Sequence, residues 1–291
     1  MPAGAWRMGN CCCGRRSVDR AVLIGPEGGQ LTAQTGGTDA VDIYVDAFLA
    51  RCDVLRGPGQ SRVDQPGLHG AVSFDDPSST RLVIDDDQAL EALPKLLAHT
   101  PGGMVNILAT APRAADMLQH HDQWRGRAAT AMVTRDLRTA SAASFPDDLT
   151  IRAVRRTDND PPTDLPLVEA VALAVRADPS DDSLTTESLS AHLRAMPLAV
   201  RLFAAVDNDG SVVGTAGVGV FGRHAHLIFV NTEPERRGEG IGREMTMRAL
   251  TDARARGAAT AYFDASSDGR RLYKAMGFET AAALTRFTHQ A

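Results

Sequence analysis

The sequence predicts a two-part α/β (α+β) protein in which short strands alternate with amphipathic helices. Three observations carry this. Apolar residues make up 43% of the 291 residues, enough to bury a sizeable core. From about Asp39 onward, runs of period-two apolar residues alternate with runs of helical period. The turn-rich passage Ser-Ala-Ala-Ser-Phe-Pro-Asp-Asp at 141–148 divides that pattern into two blocks.

Charge and composition exclude several classes. Net charge is −5 and the pI is near 5.9, which argues against a nucleic-acid partner held on a basic face. Only Lys95 and Lys274 are lysines among 31 basic residues, a bias of coding and not of binding. No run approaches 18 apolar residues, so no membrane span is expected. No apolar stretch follows the N-terminal basic residues, so no secretory signal is expected either. Cys11, Cys12 and Cys13 are adjacent and Cys52 stands alone; without a C-x-x-C pair, zinc-ligand spacing is not met. His120 and His121 adjoin on an expected helix and point apart, so no metal is called for. A reducing, cytoplasmic setting is the simplest expectation.

The elements follow in order. Residues 1–38 read as an unstructured leader, rich in glycine and poor in periodicity. Val41, Tyr44, Val45, Phe48, Leu49 and Cys52 mark a helix that Gly57-Pro58-Gly59 ends. Strands are expected at 71–74 and 81–84, and a helix over 88–98 capped by Asp87. A strand at 104–110, a helix at 113–124 and a strand at 128–134 complete an N-terminal α/β domain over 39–138. After a linker at 139–148, the second domain spans 149–291. It opens with a strand at 149–154, then helices at 165–176 and 186–195, with Pro166 tolerated in a first turn. Strands at 200–206 and 212–220 flank Asp207-Asn208-Asp209-Gly210, a hairpin signal. Next come a strand at 225–231, a long helix at 240–256 stopped by Gly257, a strand at 260–264, a helix at 267–276 and a closing strand at 282–288.

Chemistry concentrates between His226 and Phe278. A strand runs through Arg237-Gly238-Glu239-Gly240-Ile241-Gly242 into the long helix. Such a loop converges backbone N–H groups on one point, and the helix adds its positive end, so pyrophosphate is the natural guest. Arg236, Arg237 and Arg243 add charge nearby. The spacing is G-x-G-x-G. It fits neither the G-x-G-x-x-G dinucleotide fingerprint nor a P-loop. It resembles the acetyl-CoA loop of the GNAT superfamily of N-acetyltransferases. Leu272-Tyr273 and Gly277-Phe278 resemble the second cofactor segment of that family, and the element order matches too. The resemblance covers about 149–291 and leaves the first 140 residues unaddressed.

The resemblance implies a mixed twisted sheet flanked by helices, the GNAT-like acyl-CoA fold. It implies that Val230, Asn231 and Thr232 pair with the pantetheine arm, and that Gly238, Gly240, Ile241 and Gly242 offer N–H groups to the pyrophosphate. Arg237, Glu239 and Arg243 complete that cofactor site. Tyr273 falls where relatives carry the acid that protonates the departing thiolate; a phenol near 10 would face a thiol near 8.5. Ser266 falls where relatives carry a cofactor-touching asparagine, and it is also a natural helix cap. The base is open. Relatives place a carboxylate where this chain has Ile228. Strand alternation would put His226, Ile228, Val230 and Thr232 on one face, which makes His226 a candidate base, with Glu233 a second. The acidic residues Asp178, Asp181 and Asp182 lie where an acceptor amine would enter.

The expected function is N-acetyl transfer from acetyl-CoA to a small-molecule or protein amine, by direct attack in a ternary complex and without a metal. A non-catalytic acyl-CoA-binding module, or transfer of another acyl group such as succinyl, is the alternative. The N-terminal block shares the order of elements of the closing block, as a degenerate copy would; an accessory or dimerisation domain is equally compatible.

Overall fold

The structure is a computed structural model that describes residues 39–57, 59–99, 102–137, 145–155, 165–166, 185–195 and 200–289. Helix α1 (Ala40–Leu55) begins at Asp39, whose carboxylate accepts from the Val41 N–H at 3.3 Å. Its buried stripe includes Tyr44, Phe48 and Cys52, at helical spacing. Strand β1 (Gln60–Gln65) turns through Gly67, at φ +75°, into β2 (Leu68–Ser73). The polar sequence of β1 carries no apolar alternation, so it was not legible; β2 dictates it by antiparallel pairing. Strand β3 (Arg81–Ile84) leads to a 3₁₀ turn over Asp87–Glu91 and then α2 (Leu93–His99). One helix was expected here. Pro94 lacks an N–H and its ring excludes the carbonyl four residues back, so the helix restarts at its own first turn.

Strand β4 (Met104–Leu108) is followed by α3 (Pro112–Gln119) and β5 (Trp124–Thr134). Strand β5 starts earlier than expected because Trp124 is buried, edge-on to His289 at 5.3 Å. The second block runs through β6 (Thr150–Arg155), β7 (Leu165–Pro166), α4 (Thr186–Ala195), β8 (Val200–Val206), β9 (Val212–Phe221) and β10 (His224–Thr232). It closes with α5 (Ile241–Ala255), β11 (Thr260–Ala265), α6 (Ser267–Ala275) and β12 (Glu279–His289). The helix expected at 165–176 is corrected at its start: Leu165 and Pro166 are extended and pair in parallel with Val154 and Arg155. Its remaining residues, with Asp178, Asp181 and Asp182, lie outside the described residues.

The described strands join in the order β1-β2-β3-β4-β12-β5-β11-β10-β9-β8-β6-β7. The order has an internal symmetry. In each block two successive antiparallel pairings lead into a parallel pair joined by a crossover helix, β3–α2–β4 in one and β10–α5–β11 in the other, and the second block adds a further antiparallel pairing of β6 with β8. Each block then sends its last strand across. Strand β12 pairs with β4, β5 pairs with β11, and β5 and β12 pair with each other over ten residues of register. The segment 139–148 therefore joins strands that are not sheet neighbours, and Thr38–Ala291 is one compact unit.

Helix α5 covers one face, over Phe203, Ala216, Val218, Leu227 and Phe263. Helix α1 covers the other, over Ala71, Val83, Val133, Tyr262 and Leu284. On the α1 face a polar network ties the blocks together. Asp264 on β11 accepts from the Tyr44 hydroxyl at 2.6 Å, from Asn106 at 3.0 Å and from Arg286 on β12. Burial and the neighbouring carboxylate push the Tyr44 phenol well above its ordinary range, so it donates at every working pH. Asp264→Ala should cost about 2–4 kcal/mol, because it strands a partly buried guanidinium and an amide. The expected readout is a single thermal transition at lower temperature; an unchanged melt would show that the network contributes nothing.

Candidate active site

Strands β10 and β11 pair only over His224–His226 against Thr260–Tyr262. Beyond that they part, while β10 stays paired to β9 as far as Thr232. The edge of β10 facing β11 therefore has no strand partner, and an extended ligand with amide groups can dock there as a strand does. The gap opens into a cleft of about 1210 Å³. Pairing with β9 slips between Ile228 and Asn231, and Phe229 takes φ +51°. This is a bulge in a conformation that bulky side chains avoid. The Thr215 hydroxyl pins it by donating to the Phe229 carbonyl at 2.8 Å.

The bulge corrects the expected alternation. Ile228 lies against Gly217, on the face of β9 away from α5. His226 stacks on Tyr262, on the α1 face, at 4.6 Å. Val230, by contrast, packs into the α5 core, and Thr232 lies against Gly242 at the start of α5. His226 and Ile228 thus share one face, and Val230 and Thr232 the other.

At the mouth of the cleft, Gly238 and Gly240 take φ +92° and +85°. Gly240 caps α5 in the left-handed region, where a side chain would be strained. Alternation of left-handed and ordinary residues turns successive N–H groups inward, an anion nest at a helix N-terminus. Ile241 is buried, and the missing Cβ of Gly214 leaves room for it, its nearest carbon only 2.6 Å from where that Cβ would be. That close approach seats α5 on β9.

Val230, Asn231, Thr232, Arg237, Gly238, Gly240, Gly242, Arg243, Ser266, Tyr273 and His226 all line this one cleft. Glu233, Glu239 and Ile241 do not line it. Glu239 holds Arg236 at 2.8 Å, and Arg236 also reaches Asp148 at 3.1 Å, so that arginine braces the loop from outside. Arg237 donates to the Thr232 carbonyl at 3.3 Å. Ser266 is the α6 cap, accepting from the Gly269 N–H at 3.3 Å, while also facing the cleft. Tyr273 is buried against Phe263 at 4.3 Å, and burial pushes its phenol up to about 12. Its proton is therefore always present, and held more tightly than in water.

His226 is half-buried, at the wall of the cleft. Burial, then Arg51 and Arg286, hold its imidazole well below the ordinary value, so it is neutral near pH 7. Unfolded, it gains a proton below about pH 6.5; folded, it does not. Its share of stability is thus present above that pH and lost as pH falls through it. His226→Phe keeps the stacked ring and should flatten the fall in melting temperature between about pH 7 and 5; an identical pH profile would contradict this.

Sequence reasoning missed the α1 side of the cleft: Tyr44, Arg51, Arg81, Asn106, Asp264 and Arg286. A signal existed. Asn106 interrupts the apolar run Met-Val-Asn-Ile-Leu, and Asp264 follows Tyr-Phe in a strand. Polar residues inside apolar strands call for buried partners.

Comparison with known proteins agrees with this geometry. Residues 171–278 match the Acetyltransferase (GNAT) family model. No curated protein matches the chain. Among solved structures, a GCN5-related N-acetyltransferase from Kribbella flavida is similar at 19% identity and a TM-score of 0.56, over 87% of this chain and 96% of that one. A GCN5-related N-acetyltransferase from Sphaerobacter thermophilus follows at 17% and 0.50, over 85% and 91%. A tandem GNAT protein from the clavulanic acid biosynthesis pathway stands at 15% and 0.50, over 86% and 94%. These likenesses show the fold, and the tandem neighbour fits the two-block layout. No helix among the described residues is long and apolar enough to cross a membrane. By loop, by family match over 171–278 and by fold, the C-terminal half of this chain resembles a GNAT-type acetyltransferase domain, and that resemblance supports an acyltransferase.

Proposed function

We propose that the protein transfers an acetyl group from acetyl-CoA to a primary amine by direct attack. The observation that carries this reading is the single cleft in which the splayed edge of β10, the glycine nest and Tyr273 converge. Gly238, Gly240 and Gly242 would hold the pyrophosphate, with Arg237 and Arg243 beside it. The unpaired edge at Val230–Thr232 would align the pantetheine amides. Acetyl-CoA supplies the activated acyl carbon: the amine forms the C–N bond, the C–S bond breaks, and the sulfur takes up a proton. Tyr273 would hold a proton at the sulfur, stabilising the developing thiolate by a preset hydrogen bond. With the phenol near 12, full proton transfer to a free thiolate is uphill, so the bond acts as sulfur charge develops. His226, neutral and on the α1 face, is the candidate acceptor of the amine proton; its lowered basicity makes it a weak one. Glu233 lies off the cleft lining and is set aside.

The N-terminal block fits a repeat that lost this chemistry. Its parallel pair stays zipped over Arg81–Ile84, so no cleft opens there. Where the second block has glycines, it has Asp85, Asp86 and Asp87. Asp87 instead accepts from the Arg113 and Ala114 N–H groups at the start of α3. Its role would be to wall the acceptor side with α1.

Titration calorimetry with acetyl-CoA and, in parallel, NAD tests the cofactor; thiol release with an amine panel tests turnover. Saturable acetyl-CoA binding with thiol release is expected. Binding without release under any amine would favour the non-catalytic module, and no binding would overturn the reading.

A further inference from the structure

The end of the cleft opposite the glycine nest carries positive charge that the transfer chemistry does not use. Arg51 lies on α1 in one stripe with Tyr44, Phe48, Cys52 and Leu55, and all five line the cleft. Arg81 opens β3, and Arg286 lies in the C-terminal half of β12. The sheet register explains their convergence. Val83, Asn106, Arg286 and Arg127 are successive partners across β3, β4, β12 and β5, and Val83 faces α1. Arg81 is two residues from Val83 and shares its face. Exchange of the last strands is what brings Arg286 from the far end of the chain beside Arg81.

The charges are not balanced. The one carboxylate on this wall, Asp264, is engaged by Tyr44, Asn106 and Arg286. Among the described residues, Arg51 and Arg81 make no ion pair. Arg81 donates only to the backbone carbonyls of Ser78 and Thr80, at 2.5 and 2.8 Å. Arg51 borders the buried Tyr262 hydroxyl, which has no hydrogen-bond partner of ordinary geometry. Burial and repulsion from Arg51 and Arg286 lower the Arg81 guanidinium below its ordinary value, against a smaller opposing pull from Asp76, which lies outside the cleft lining. Half-buried like charges persist at this proximity where an anion offsets them.

We propose that the acceptor amine carries an anionic group, a carboxylate or a phosphate, and that Arg51, Arg81 and Arg286 bind it on the α1 side of the cleft. This rests on the acyl-transfer reading and names its substrate class. The α1 wall lies across the sheet from the phosphate cradle, at the α1 end of the cleft, so the anion belongs to the acceptor and not to the acyl group. Tyr262, buried at the junction, can donate to the same anion.

The test uses the full chain saturated with acetyl-CoA. It is titrated with matched pairs: glutamate and glutamine, phosphoserine and serine, an amino acid and its amide. Product is followed by thiol release. The acidic member of at least one pair should bind tighter by roughly tenfold or more, and the carboxylate and phosphate arms show which anion fits. Arg51→Gln and Arg81→Gln should each raise the KM for that acceptor by a similar factor, and Arg51→Lys should restore part of it. Their acetyl-CoA titration and melting curve report that the fold is intact. If acetyl-CoA does not bind, the acyl-transfer reading fails first. If it binds and no acidic member outperforms its neutral partner, whether or not turnover occurs, the acceptor proposal is overturned. Faster turnover of succinyl-CoA than acetyl-CoA, with Arg81→Gln reversing the order, would move the anion to the acyl group and overturn it likewise.

Discussion

Gly240→Asp should abolish acetyl-CoA binding in a protein that still folds. Gly240 stands at φ +85° as the cap of α5, so any side chain there adds strain of about 1 kcal/mol or more. The added carboxylate then sits where the loop turns its N–H groups on a pyrophosphate. Strain and like-charge repulsion together should weaken binding roughly a hundredfold or more. Gly257 supplies the control. It ends the same helix at φ +93°, with nothing within 4 Å of an added Cβ, and is absent from the cleft lining. Gly257→Asp should therefore lower stability and leave acetyl-CoA affinity unchanged. Titration calorimetry on both variants reads the difference; equal affinity in Gly240→Asp and the parent would remove the phosphate-loop assignment.

Tyr273→Phe should separate binding from turnover. The ring is held by edge contacts with Phe263 and Phe278, which phenylalanine keeps. Only the hydroxyl is lost, so acetyl-CoA affinity should stay within about twofold while turnover falls roughly a hundredfold. The pH profile adds a second check. Because burial raises the phenol to about 12, the proton is lost only above the range where activity is measured. The parent should show no alkaline loss of rate attributable to Tyr273 near pH 10, where an exposed phenol would titrate. The same raised value makes its contribution to stability complete below pH 10 and lost between about 10 and 12. Full turnover in Tyr273→Phe would assign the proton at sulfur to another group.

Much of the geometry of the candidate site was legible because its signals are local. Glycines at 238, 240 and 242, followed at once by helical periodicity, mean a cradle at a helix N-terminus wherever they occur in a fold. Strand β8, helix α4 and strand β3 fall on their expected residues because apolar alternation and helical spacing are set by neighbours a few positions away. The Ser266 cap is of the same kind.

What failed in the sequence reading failed where a distant partner overrides a local rule. Strict alternation put Val230 with His226, and the bulge at Phe229, pinned by Thr215 from β9, turned it to the other face. Strand β1 has no apolar pattern and exists because β2 offers it an edge. An expected boundary at 139–148 marks where the pattern changes, yet β5 and β12 cross between the blocks on either side of it. No periodicity can report such an exchange, since a strand reads the same whichever neighbour it joins. The amino-acid order alone thus determines the elements and the nest that would hold a pyrophosphate, because both depend on residues adjacent in the chain. The meeting of Arg51, Arg81 and Arg286 with Asp264 and Tyr44 was decided by sheet order, which is a matter of long-range pairing and of the shared burial of two blocks.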